Sequence, residues 1–169
     1  MNKKYSKPQL KVPLYARFLV HLTRPFPDFD FGFIKAVRQE AITLLNLKSG
    51  DRVLDAGCGS GGSFPYLIKV IGETGEIVGV EISSQTIKNT NNRIRKNNWQ
   101  NVHVFEGDAK TVNLTGTFDG LLMFAAPDVY ASEQALSNIF PNLIVNSKVV
   151  IFGAKISKKR FGWILNGAL

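Results

Sequence analysis

Arg52-Val53-Leu54-Asp55-Ala56-Gly57-Cys58-Gly59-Ser60-Gly61-Gly62 is the stretch whose reading decides the fold. Arg52–Ala56 is a short, mostly apolar run of the kind that fills a buried strand. Gly57, Gly59 and Gly61 then allow a tight turn and let a ligand approach the backbone closely. Phe64–Ile71 resumes at helical spacing, with Pro65 in the first turn, where its missing N–H costs nothing. A strand, a glycine turn and a helix in succession present unpaired helix N–H groups beside the end of a strand.

The same alternation continues outward. Glu76–Glu81 reads as a second strand, Ser84–Asn97 as a polar helix with Ile87 and Ile94 inward, and Val102–Phe105 as a third strand. Phe118–Phe124 is a fourth strand, Ser132–Phe140 a helix capped by Ser132, and Lys148–Phe152 a fifth strand. Upstream, Phe31–Leu47 has the spacing of a helix buried on one face, residues 15–24 are expected as a short helix, and residues 1–14 read as an extended basic leader, with Pro8 and Pro13 interrupting any helix. Strands alternating with helices predict an α/β, doubly wound, mostly parallel sheet with helices on both faces. Two regions are expected: an N-terminal extension or lid over 1–30 and a ligand-binding domain over 31–169.

Composition narrows the classes. The 169 residues suit one core, and 44% hydrophobic with 20% charged residues is the balance of a globular chain. No apolar run approaches the roughly 20 residues that span a bilayer, and no cleavable leader is evident, so a cytoplasmic location is expected. One Cys and two His make a poor metal set, so no metal is expected. The net charge of +8 gathers at Lys3–Lys11, Lys88–Lys96 and Lys155–Arg160. It can attract an anionic membrane surface or an acidic substrate, or simply solvate the surface. No RNA-binding signature accompanies it, so nucleic acid is not favoured.

Four positions carry chemistry. The spacing Gly57-x-Gly59-x-x-Gly62 alone fits a dinucleotide turn. Asp55, at the end of the strand, would repel a pyrophosphate and favour a cationic group such as the ammonium of an aminoacyl tail. Glu81 ends the second strand, where a carboxylate can accept from both hydroxyls of a ribose; it could also be a capping acid. Gly107-Asp108-Ala109 follows the third strand, as an adenine contact or a common turn pair. The loop after Phe124 holds small Ala125 and Ala126, then Asp128 and Tyr130. Asp128 is the candidate general base if one is needed, and Tyr15 a candidate for closing over the site.

In this order the motifs resemble those of class I, Rossmann-like, S-adenosylmethionine-dependent methyltransferases over roughly residues 31–153, with a subfamily likeness to small-molecule, quinone or phospholipid methyltransferases. The resemblance implies S-adenosyl-L-methionine as cofactor. It implies a site made of Asp55, Ala56, Gly57, Cys58, Gly59 and Gly61 around the aminoacyl tail, Glu81 and Ile82 at the ribose, and Gly107, Asp108, Ala109 and Phe124 around adenine and the methyl. The expected reaction is methyl transfer to a small-molecule or lipid-like acceptor. The loop after the fourth strand lacks the Asn/Asp-Pro-Pro-Tyr/Phe sequence of many nucleic-acid and protein methyltransferases, which counts against an RNA or protein acceptor. An NAD-dependent oxidoreductase and a non-catalytic cofactor-binding module are the other readings. The family's sheet continues beyond a fifth strand. Here the sequence after Phe152 does not read as a hairpin, so the fold is expected to be shortened at that end, with an apolar edge open to self-association.

Overall fold

The computed structural model describes residues 32–153. The expected segment at 15–24, Tyr15, and both terminal basic clusters lie outside the described residues.

The described residues open with α1 (Gly32–Leu44) and then alternate: β1 (Arg52–Ala56), α2 (Phe64–Ile71), β2 (Glu76–Glu81), α3 (Ser84–Lys96), β3 (Val102–Glu106), β4 (Phe118–Phe124). The short α4 (Pro127–Tyr130), α5 (Glu133–Ile139), a 3₁₀ turn over Phe140–Asn142 and β5 (Leu143–Phe152) complete it. The five strands are parallel where they pair, in the order β3-β2-β1-β4-β5. This is the Rossmann-like architecture that the alternation predicts.

Local chemistry explains the boundaries. Gly72, at φ 69°, ends α2 with its N–H donated to the Ile68 carbonyl. α3 starts at Ser84 as expected, and Ser83 caps it by accepting from the Thr86 N–H at 3.3 Å. Arg93, Arg95 and Lys96 in the last turn of α3 complement its carbonyl end. Ser132 caps α5 as expected, accepting from Ala135 at 3.3 Å. Beyond shifts of one to three residues at element ends, two segments differ from the sequence reading. The loop after Phe124 contains the single helical turn α4, begun by Pro127. The fifth strand starts at Leu143 rather than Lys148, because Leu143 already pairs with Phe118 across an irregularity in the ladder.

Side chains alternate across the sheet and build two cores. On one face Val53, Ile77, Leu122 and Phe124 meet Ala41 and Ile42 of α1, Leu45 just after it, and Phe64, Leu67 and Ile71 of α2. On the other, Leu54, Ala56, Val78, Leu121 and Met123 meet Ala135 and Ile139 of α5. The alternation along β1 therefore puts Asp55 on the same face as Val53, towards α1 and α2.

The order of the strands creates the crevice. The chain runs outward from β1 to β3, then returns to β1's other side with β4. The segment leaving β1 turns to the α2 face and the one leaving β4 to the α5 face. A crevice opens between them at the carboxyl ends of the strands, where ligands bind in such sheets.

Candidate active site at the carboxyl end of the sheet

The glycine turn is shaped by what surrounds each position. Gly57, Gly59 and Gly61 all have positive φ, at 80°, 54° and 74°. A Cβ on Gly57 would lie 2.5 Å from the Ala126 Cβ, and one on Gly61 would lie 2.5 Å from the Phe64 ring. Both positions are closed by protein. A Cβ on Gly59 would meet nothing within 4 Å. The backbone at Gly59 thus faces open space, which is how a turn offers itself to a ligand.

Four neighbours hold the turn. Gly57 and Cys58 both donate to the Val80 carbonyl, at 2.8 and 3.0 Å. Gly59 donates to Glu81 Oε2 at 3.1 Å. The Thr90 hydroxyl donates to the Gly59 carbonyl at 2.8 Å, and Arg93 Nη1 to the Ser60 carbonyl at 3.3 Å. Strand β2 and helix α3 therefore fix the turn from beneath. Burial pushes the Cys58 thiol up, with Asp55 and Glu81 adding to the shift, so this residue is a packed hydrophobe and not a nucleophile.

Asp55 is the unusual group. It is 1% exposed, and its Oδ2 has no hydrogen-bond partner. Burial pushes its carboxyl up to about 7, Arg38 and the Ser63 hydroxyl pull it down, and Glu81 pushes it up again. An unsatisfied buried oxygen costs about 1–3 kcal/mol and requires an explanation. A cationic hydrogen-bond donor arriving from the crevice would supply the missing partner. The residues present thus fit the ammonium end of S-adenosylmethionine.

Of the two roles that the sequence left open, the contacts show Glu81 in the local, capping one. Its Oε1 accepts from the Ser83 N–H at 2.9 Å while Oε2 holds Gly59, so it ties the glycine turn to the start of α3. Each oxygen keeps a further lone pair for a hydroxyl donor. Ile82 beside it is 67% exposed, an apolar surface with no protein cover. Gly107 donates to the Glu81 carbonyl at 3.0 Å, which brings the third motif alongside the second. Asp108 forms a turn: its Oδ1 accepts from the Lys110 N–H at 2.9 Å and Oδ2 lies 3.9 Å from Lys110 Nζ. Ala109 is buried below it.

Across the crevice, Ala125 has φ 57° and donates its N–H to the Phe152 carbonyl at 2.7 Å. Ala126 is the residue that closes against Gly57, so the links after β1 and β4 touch. Phe124 is buried under the Arg38 guanidinium, 4.1 Å from its ring centre, and stacks on Phe152 at 4.5 Å. Tyr130 packs its hydroxyl over Gly153. Asp128 is exposed in the first turn of α4, apart from the buried cluster.

The fold thus gathers Asp55–Gly61, Glu81, Ile82, Gly107–Ala109 and Phe124 at one end of the sheet. Sequence reasoning missed Arg38, Ser63, Thr90 and Arg93. Nothing in the helical spacing of α1 marks Arg38. Ser63 and Thr90 became legible only as polar side chains buried beside a glycine turn.

The chain matches the model of the methyltransferase-domain family over residues 47–159. It is 34% identical over 88 residues to the 23S rRNA (uracil(1939)-C(5))-methyltransferase of Acinetobacter baumannii (strain SDF), a match covering 49% of this chain and 19% of that protein. It is 27% identical over 141 residues to the demethylmenaquinone methyltransferase of Lactobacillus johnsonii, covering 82% of this chain and 58% of that one. The chain therefore spans less than two thirds of the length of either curated relative. The fold is shared with a SAM-dependent methyltransferase from Aquifex aeolicus, at a TM-score of 0.65 and 22% identity over 78% of this chain and 77% of that one. With a family match across most of its length and a crevice suited to the family's cofactor, this chain belongs to the methyltransferase-domain family, in its class I, S-adenosylmethionine-dependent branch.

Proposed function

We propose that this protein transfers a methyl group from S-adenosylmethionine to a small-molecule, quinone-like acceptor. The observation that carries the cofactor half is the buried, unsatisfied Oδ2 of Asp55 beside the open face of Gly59. In this reading Asp55 takes the ammonium, and Ala56–Gly61 frame the aminoacyl tail. Glu81 accepts from the ribose, Ile82 lies against the adenosine, and Gly107–Ala109 border the adenine.

When bound, the cofactor supplies a methyl on a sulfonium, which leaves as a neutral thioether. The chain's own residues then have three tasks: to hold, to align and to exclude water. Alignment alone is worth about 7–11 kcal/mol when the reacting atoms are held in line. Phe124 and the Ala125–Ala126 link form the wall on the acceptor side, where small side chains leave room. Asp128, exposed on α4, is proposed as the proton acceptor for substrates that must lose a proton, and Tyr15 with the 1–30 region as a cover for the site.

The quinone-like acceptor is supported by the longer of the two curated matches, which covers 82% of this chain and carries the name demethylmenaquinone methyltransferase. An RNA acceptor is favoured by the shorter match at higher identity, to an rRNA methyltransferase. The basic surface is compatible with both acceptors and with an anionic membrane that presents the lipid-like one. Labelled methyl donor offered with a demethylated naphthoquinone and, separately, with unmodified ribosomal RNA separates them. Label in the quinone is expected; label in RNA alone would replace this acceptor with the second reading. Binding of NAD with no response to S-adenosylhomocysteine would overturn the cofactor assignment.

A further inference from the structure

Strands β1 and β2 are each followed by a helix, but residues 107–117 lead from β3 to β4 as irregular chain. Backbone carbonyls in such a link have no ladder to join and need side-chain partners. Asn138 of α5 serves two of them. Its amide nitrogen donates to the Ala109 carbonyl at 3.1 Å and to the Val112 carbonyl at 2.9 Å. An amide carries two N–H groups, one for each acceptor. Between these two points the loop closes on itself. Thr111 and Val112 donate to the Asp108 carbonyl at 2.9 and 2.8 Å, and Asp108 Oδ1 accepts from the Lys110 N–H. The Val112 side chain in turn packs against Gly107, where a Cβ would meet it at 3.2 Å. The pin from α5 therefore steadies the backbone on both sides of Asp108: Ala109 through its own carbonyl, Gly107 through Val112. The Asp108 side chain itself stays partly exposed.

We propose that Asn138 is a positioning residue for the cofactor's base: by pinning the 107–112 loop to α5, it holds Asp108 where it selects adenine over a 6-oxopurine. This rests on the adenine placement proposed above and deepens it. In adenine the 6-amino group donates and N1 accepts. In hypoxanthine the 6-oxygen accepts and N1 carries the proton. A carboxylate fixed opposite the 6-position accepts from the first base and is repelled by the second. A carboxylate free to slide by one ring position accepts from N1–H instead, and the two bases become alike. Selection by hydrogen bonding therefore depends on how firmly the acceptor is held, because only a fixed group is left unpaired by the wrong ligand. Helix α5 is a firm anchor, since Ala135 and Ile139 on its inner face are buried against the sheet together with Ala109 of the loop. Asn138 acts through Asp108 and not on the base itself.

The test is calorimetric titration of the full chain with S-adenosylhomocysteine and with S-inosylhomocysteine, which differ only at the 6-position and N1 of the purine. The unmodified protein is expected to prefer the adenine ligand by at least about tenfold, the size of a charge-assisted hydrogen bond. Asp108→Ala should bring that preference to about twofold or less. Asn138→Ala, whose smaller side chain admits water to the two carbonyls, should do the same although Asp108 is intact. If Asn138→Ala lowers the melting temperature and keeps the full preference, Asn138 is a structural tie only and the proposal is overturned. Should that variant fail to fold, Val112→Ala cuts the link to Gly107 while leaving both hydrogen bonds; a smaller preference supports the proposal and an unchanged one overturns it. The adenine placement fails in a different way. A preference that survives Asp108→Ala, or none in the unmodified protein, would remove this loop from the base and the proposal with it.

Discussion

Strands β1 and β5 are made of similar residues and have opposite fates. Val53-Leu54-Asp55-Ala56 lies between two neighbours, β2 and β4, and every one of these side chains is buried. Val149-Val150-Ile151-Phe152 pairs, among the described residues, only with β4. Val149 is 40% exposed and Ile151 51%, and Val145 earlier in the strand reaches 85%. The difference teaches that an apolar run announces a strand and not its burial. What buries a strand is a partner on each edge and a layer on each face. It also separates the protein into a region where charge is bound by geometry and a region where apolar surface stands uncovered. The chemistry belongs to the first.

That contrast can be broken most forcefully at the centre. Leu122 of β4 is fully buried against the α1–α2 layer, so Leu122→Ala should cost about 2–5 kcal/mol in chemical denaturation. A loss below about 1 kcal/mol would mean that this core is loosely packed.

The glycine turn sharpens the comparison at the next scale. Gly57→Ala forces a Cβ to within 2.5 Å of Ala126 at a positive φ, so it should lose about 2–4 kcal/mol of stability from strain and overlap. Gly59→Ala meets no protein atom and should lose only about 1–2 kcal/mol, from its φ alone. Cofactor affinity should nonetheless fall at least about tenfold in Gly59→Ala, because the methyl enters the space left for the ligand. Melting temperature and titration together read the two effects. Equal destabilisation of the two variants would contradict the geometry of the turn.

Asp55 predicts two pH dependences of opposite sense. Its carboxyl is raised from 3.8 to about 7, so between these values the folded protein holds a proton that the unfolded chain has released. Stability should therefore decline as pH rises from about 4 to about 7 and level off above. Binding of a cation needs the ionised form, so affinity for S-adenosylhomocysteine should climb from pH 5.5 to about 7 and then level off. Asp55→Asn should abolish both trends and weaken binding by about 1.5–3 kcal/mol. Affinity that stays flat across this range in the unmodified protein would remove Asp55 from the ammonium site.

The smallest effect is expected at the open edge. Val145→Thr changes an exposed β-branched residue for another of the same shape, so stability should move by no more than about 0.5 kcal/mol. A larger loss would show that β5 is covered in solution, by a second copy or another part of the protein, and sedimentation of the two variants would tell which.

Much of this protein is determined by local order along the chain. Apolar runs separated by helical spacing establish the α/β class, because side-chain period and turn chemistry are local properties that need no knowledge of distant residues. The spacing of Asp55, Gly57, Gly59 and Gly61 marks the crevice for the same reason: a strand end, a positive φ and a helix start are adjacent in sequence. Ser132 was legible as a cap, and Glu81 as the acid that ends β2. The tertiary structure alone decided the rest. It brought Arg38 from α1, Ser63 from the mouth of α2 and Thr90 from α3 to the turn, across separations in sequence that no local pattern records. It gave Glu81 two backbone donors, a role set by where α3 begins relative to Gly59. It extended β5 back to Leu143, because pairing with Phe118 outweighs the polar Asn146 and Ser147 between. Burial of a charge, the partner it lacks and the residue that steadies it are properties of three-dimensional neighbours, so the motif locates the site and the packing decides how it holds its charges.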